Sequence, residues 1–179
     1  SFEIRNGYES DVPQILAIQT HYVLNTIATF RTIPPTLSEA ITAFKTATAQ
    51  GNPYLVACSS DAVIGYGYTS QFRPQQAYSG TIELSIYLSP DFTSKGCGRK
   101  LLLRLIDDLQ KKTNFKQLIA VVAGDNVEGR GAYERLSQFY ERFGFVRTGT
   151  LKGVGHKFGR WLDTTYFQLD LNKRVCYRC

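Results

Sequence analysis

Between residues 80 and 123 the chain reads strand, glycine-rich turn, helix, strand, and this run limits the possible folds most sharply. In residues 80–88, Ile82, Leu84, Ile86 and Leu88 recur with the period of two that marks a strand. Ser89-Pro90-Asp91 makes a turn that leads to Gly96-Cys97-Gly98. Residues 99–112 are strongly amphipathic, with Leu102, Leu105, Ile106 and Leu109 on one helical face. Residues 117–123 form an apolar strand pattern. Two strands joined through one helix lie parallel in a sheet, with a right-handed crossover.

The flanking sequence reads as antiparallel. Residues 2–5 suggest a short first strand, and Val12, Ile15, Ile18, Tyr22 and Val23 mark a helix that Ser10 or Asp11 can cap. Thr36-Leu37-Ser38-Glu39 has capping-box spacing and opens a second helix. Strands are expected at 54–59 and 63–72, a helix at 131–143, and closing strands at 145–151 and 164–171. The expected fold class is therefore mixed α/β: a mostly antiparallel central sheet containing one parallel βαβ unit, with helices on both faces.

With 179 residues the chain suits one domain. We assign residues 1–172 to it and 173–179 to a basic tail. No apolar run approaches the roughly 18 residues of a membrane span. The N-terminal residues lack the apolar core of a signal peptide, so a cytoplasmic protein is expected. Cys176 and Cys179 form a lone CxxC without further ligands at zinc spacing, so no metal is expected. The net charge of +6 is compatible with a polyanionic ligand. The chain lacks the aromatic-plus-basic strand signature of nucleic-acid modules, so neither nucleic acid nor membrane is expected as a partner.

The segment Thr93-Ser94-Lys95-Gly96-Cys97-Gly98-Arg99-Lys100 enters a helix from a strand. Such a turn presents backbone N–H groups at the positive end of a helix dipole, where a phosphate or pyrophosphate can bind. The Walker pattern GxxxxGK[ST] is absent, and Leu101 stands where GxGxxG needs its third glycine. An acyl-CoA loop of the form [QR]xxGx[GA] fits through Gly96 and Gly98, with Thr93 in the place of Gln or Arg. On the residues alone, an ordinary turn into a helix fits as well.

Four further segments carry a family resemblance. His21-Tyr22 with Thr29-Phe30-Arg31-Thr32 resembles an HY…FRT segment, and Ala77-Tyr78, Glu83 and Ile86-Tyr87-Leu88-Ser89 resemble an AY…E…VYVS strand. Gly144-Phe145, Gly149-Thr150-Leu151 and Gly155 follow, and Lys157, Gly159, Trp161 and Asp163 match KxGxWxD. Together they resemble the phosphinothricin acetyltransferase-like branch of the GNAT N-acetyltransferase superfamily, over nearly the whole chain. Residues 128–137 make a longer segment than in bacterial members, and Tyr140 stands where many of this branch have His.

The resemblance implies acetyl transfer from acetyl-CoA to the amine of a small amino acid or analogue, by direct attack in a ternary complex. It implies Glu83 as general base, although the residues alone also allow a solvent-facing strand carboxylate there. Tyr140 is the implied general acid toward the departing thiolate, against an alternative of simple packing. Ile86, Tyr87 and Leu88 are assigned to main-chain contacts with acetyl-CoA. Ser94, Lys95, Gly96, Cys97, Gly98 and Arg99 are assigned to its pyrophosphate, and Asn126 to its pantetheine arm. Phe30, Arg73 and Tyr78 are assigned to the acceptor, Arg73 because its fork suits a carboxylate. Members of this branch are often homodimers, and a homodimer is expected. Another acceptor amine (a cyclic imino acid, a polyamine or a protein N-terminus) and a non-catalytic CoA-binding module stay open.

Overall fold

The computed structural model describes residues 1–112, 114–124 and 130–173; Asn126, part of 128–137, Cys176 and Cys179 lie outside them. Seven strands form one sheet: β1 (Glu3–Asn6), β2 (Tyr54–Ser59), β3 (Ala62–Gln71), β4 (Thr81–Leu88), β5 (Gln117–Gly124), β6 (Val146–Lys157) and β7 (Arg160–Asp170). Their spatial order is β1-β2-β3-β4-β5-β7-β6. β4 and β5 pair in parallel, and the other neighbours pair antiparallel. The expected mixed α/β architecture is thus present, mostly antiparallel and with the parallel βαβ unit at its centre.

Helices α1 (Val12–Asn25) and α2 (Leu37–Ala49) precede β2. Helix α3 (Cys97–Gln110) joins β4 to β5, and α4 (Arg130–Arg142) precedes β6. Leu102, Ile106 and Leu109 of α3 and Tyr140 and Phe143 of α4 pack with Ile82, Leu84, Leu118, Ala120 and Phe167 on one sheet face. Ile15 and Ile18 of α1 pack with Val56, Val63 and Tyr66 on the other. Strand alternation sends Ile82 and Leu84 toward α3, and Glu83 and Tyr87 toward α1.

Three local expectations are corrected. Asp11 adjoins α1 but makes no side-chain cap bond to it. Its carboxylate instead takes two hydrogen bonds from the Arg5 guanidinium, at 2.7 and 2.9 Å, and one from the Tyr8 N–H. That pairing with Arg5 holds the carboxyl below its usual pKa. The last two strands are longer than the expected 145–151 and 164–171, because register shifts between Arg147 and Gly149 and between Leu151 and Gly155 absorb the glycines that interrupt the alternation. They meet in a two-residue turn, Phe158-Gly159, both residues having left-handed φ (51° and 71°), the hairpin geometry that matches strand twist. Finally, α3 begins at Cys97, so Gly98 lies inside its first turn.

Candidate active site

The parallel pairing of β4 with β5 covers only Thr81↔Gln117, Ile82↔Leu118 and Glu83↔Ile119. β4 then continues to Leu88 and β5 to Gly124 without further pairing to each other. The strands part at Glu83. Beyond it, the β5-facing edge of β4 carries main-chain polar groups with no ladder partner, an arrangement that a folded protein completes with a ligand, side chain or water. One is already engaged: the Tyr22 hydroxyl donates to the Leu88 carbonyl at 2.7 Å. Ile86 and Leu88 turn their main-chain groups to this open edge, whereas Tyr87 pairs with Tyr66 and turns its own toward β3.

Glu83 stands at the apex of the gap and is half-buried. Desolvation raises its pKa, and the positive charge of Arg73 partly opposes the rise. A carboxylate so placed is a stronger base than one in water, while remaining accessible. Tyr87, two turns of the pleat further along the same face, senses Glu83 electrostatically. Burial raises the Tyr87 pKa.

Tyr140 is 6% exposed, edge-on to Phe139 and Phe145. Burial raises its pKa well above that of a free phenol, and Tyr87 adds to the shift. Tyr140 belongs to the α4 side of the sheet and Tyr87 to the α1 side. The packing and acid readings of Tyr140 are therefore compatible: its ring is core, and its hydroxyl stays protonated at neutral pH.

The glycine-rich turn is left-handed at Ser94 (φ 63°) and at Gly96 (φ 79°), which directly precedes α3. No side chain caps the first turn of α3. A Cβ at Gly98 would meet only Leu88 Cδ1, at 3.5 Å, so the surface above that residue is open. Lys95 and Arg99 are exposed beside it. Cys97 departs from the group, because its side chain is fully buried among Leu55, Ile64 and Leu101 and burial pushes its thiol up to about 11. Only its main chain can take part in a phosphate site.

Before the start of β4, Arg73 lies over the Phe72 ring, and Tyr78 meets that ring edge-on at 5.8 Å. Both Arg73 and Tyr78 are exposed, at the strand end nearest Glu83. Phe30 stands elsewhere, in the α1–α2 connection against Gly155 of β6. The Glu83 face is thus bordered by residues from three distant parts of the chain.

Lys157 and the Tyr87 phenol carry no site assignment from the sequence. Lys157 is 3% exposed as a residue, and its ammonium donates to the Thr29 carbonyl at 2.7 Å. Gly155 and Lys157, spaced two apart before a Phe-Gly turn, are the alternation that points both toward one sheet face. Among the described residues no cluster of three or more His, Cys, Asp or Glu is suited to a metal ion, and no helix is long and apolar enough to cross a membrane.

Comparison with known proteins gives a consistent pattern. A model of the acetyltransferase (GNAT) domain matches residues 4–166. The chain is 40% identical to a phosphinothricin N-acetyltransferase of Alcaligenes faecalis, over 94% of this chain and 82% of that protein. It is 37% identical to an L-methionine sulfoximine/L-methionine sulfone acetyltransferase of Pseudomonas aeruginosa, over 96% of each. Its fold is similar to that of a phosphinothricin acetyltransferase of Sinorhizobium meliloti crystallised with acetyl-CoA: TM-score 0.87, 36% identity, covering 99% of this chain and 94% of the other.

Proposed function

The chain belongs to the GNAT acetyltransferase family, and from that premise we propose that it transfers the acetyl group of acetyl-CoA to the amine of a small amino acid or amino-acid analogue. The observation that carries the reading is the parting of β4 and β5 at Glu83, which places a desolvated carboxylate beside an open strand edge. The open edge at Ile86–Leu88 and the uncapped start of α3 fit a thioester cosubstrate with a phosphorylated tail. Acetyl-CoA supplies the activated acyl group.

The residues of this chain divide the work. An alkylammonium cannot attack, so Glu83 accepts the amine proton, directly or through water. Attack forms the N–C bond and moves charge onto the carbonyl oxygen, where a β4 main-chain N–H stabilises the tetrahedral intermediate, and the C–S bond breaks as the carbonyl re-forms. Tyr140 donates to the departing sulfur. With its pKa raised, the phenol does this better by hydrogen bonding than by full proton transfer, since a thiol's ordinary pKa is only about 8.5. Tyr140→Phe is therefore expected to lower kcat by about tenfold and to leave the acceptor KM little changed. An unchanged kcat would return Tyr140 to a packing role alone.

Ser94, Lys95, Gly96, Gly98, Arg99 and the Cys97 main chain are proposed to hold the pyrophosphate, and Asn126 the pantetheine arm. Arg73 and Tyr78 are proposed to recognise the acceptor carboxylate, and Phe30 to border its side chain. A homodimer is supported by β6, an outer strand near which Leu151, Val154 and Trp161 are exposed. We place the reaction in the cytoplasm, within a single domain of residues 1–172.

The test is thiol release from acetyl-CoA across a panel of amines that includes phosphinothricin and methionine sulfoximine. Turnover of those two supports the reading. Turnover of another amine alone keeps the acetyltransferase and discards this acceptor class. Binding of acetyl-CoA without turnover of any amine favours a non-catalytic module.

A further inference from the structure

The α1–α2 connection is pinned to the far hairpin of the sheet at two adjacent points. Lys157 Nζ donates to the Thr29 carbonyl at 2.7 Å. A Cβ built on Gly155 would lie 2.2 Å from Phe30 Cε2, 2.5 Å from Cζ and 2.7 Å from Cδ2. The Phe30 ring thus occupies the space that any side chain at 155 would fill. Gly155 is absent from the residues with positive φ, so torsion alone does not call for glycine there. The close approach of Phe30 does.

The pinned segment lies over the catalytic face. Gly155 pairs with Leu162, Thr164 with Ala123 and Ile119 with Glu83, and alternation puts these residues on one side of the sheet. The helix from which the connection leaves is itself held to β4, where the Tyr22 hydroxyl donates to the Leu88 carbonyl at 2.7 Å and the Tyr22 ring meets that of Tyr87 edge-on at 5.0 Å. The connection therefore bridges from β4 to β6, across the face where the acceptor must approach. Lys157 is buried, and among the described residues its ammonium has no carboxylate partner. Its Thr29 bond is a local restraint on the loop backbone and not part of an ion-pair network.

We infer that Gly155 and Lys157 are positioning residues that fix Phe30 and thereby select which acceptor side chains fit beside Glu83. The inference rests on the proposed function, in which Phe30 borders the acceptor. It makes the β6–β7 hairpin end, remote in sequence from Glu83, a determinant of substrate range.

A double-mutant cycle tests it, with kcat/KM measured for methionine sulfoximine, phosphinothricin and alanine, alongside the KM for acetyl-CoA and Tm. Gly155→Ala is expected to change the ratio between long and short acceptors by roughly tenfold, and to do so by less than about twofold in a Phe30→Ala background. The KM for acetyl-CoA should stay constant. Equal effects in both backgrounds, or a matching change in the acetyl-CoA KM, overturn the inference. Should Gly155→Ala fail to fold, Lys157→Met and Lys157→Gln decide it. Met removes the donor and should shift the acceptor ratio, whereas Gln keeps a donor and should restore most of it; an unshifted ratio in Lys157→Met overturns the inference. A wild-type enzyme that acetylates no member of the panel overturns both this inference and the proposed function, whereas additive effects on an active wild type overturn this inference alone.

Discussion

Replacing Glu83 with Gln is expected to lower kcat at neutral pH by about 10²- to 10³-fold, the usual contribution of a positioned base. The substitution removes the proton acceptor while nearly preserving shape, so acetyl-CoA affinity and Tm should change little. The pH profile supplies an independent check. A base works only when deprotonated, so the wild-type rate should fall as pH drops through the Glu83 pKa. Burial raises that pKa above that of a free carboxylate, and Arg73 opposes the rise. The acid limb should accordingly lie above the ordinary carboxylate range. Arg73→Gln should move it to still higher pH, and Glu83→Gln should abolish it. Undiminished turnover in Glu83→Gln would remove this carboxylate as the base.

Gly98→Val is expected to weaken acetyl-CoA binding by about tenfold or more, or at least about 1.4 kcal/mol. The fold itself should tolerate the change. The added Cβ meets Leu88 Cδ1 at an ordinary 3.5 Å, and Gly98 lies in the first turn of α3, where valine has the better helix propensity. The loss should therefore appear in the acetyl-CoA Kd, with kcat at saturating cosubstrate and Tm near wild type. Gly96 is a poorer probe. Nothing lies within 4 Å of its Cβ position, but its φ of +79° would strain any side chain. Normal affinity in a folded Gly98→Val variant would sink the pyrophosphate assignment of this loop.

The two sites differed in how far sequence could reveal them. The glycine-rich turn was legible because strand, turn and helix are local: Gly96 and Gly98 sit within a few residues of the elements they join. Glu83 was legible as a residue, since apolar Ile82 and Leu84 flank it. Its position at the point where β4 and β5 separate was not, because strand separation depends on a partner more than thirty positions away. Cys97 shows the converse. Motif spacing put it in the loop, but its side chain turns inward, because the first turn of α3 packs on Leu55 and Ile64. Likewise the glycines of residues 149–155 hid the full length of the β6–β7 hairpin until register shifts accommodated them.

By itself the sequence carried the resemblance to the GNAT family through its motifs, and it determined the order of elements, the parallel βαβ unit and the capping box at Thr36–Glu39. These follow from periods of two and 3.6, turn chemistry and motif spacing, all of which are short-range along the chain. Only the tertiary structure decided where β4 and β5 part, that the Tyr22 hydroxyl bonds the Leu88 carbonyl, and that Gly155 and Lys157 hold Phe30 and Thr29 over the Glu83 face. Those contacts join residues far apart along the chain, with Lys157 and Thr29 separated by 128. No local pattern encodes them, because they arise when sheet order brings distant strands and the α1–α2 connection onto one face.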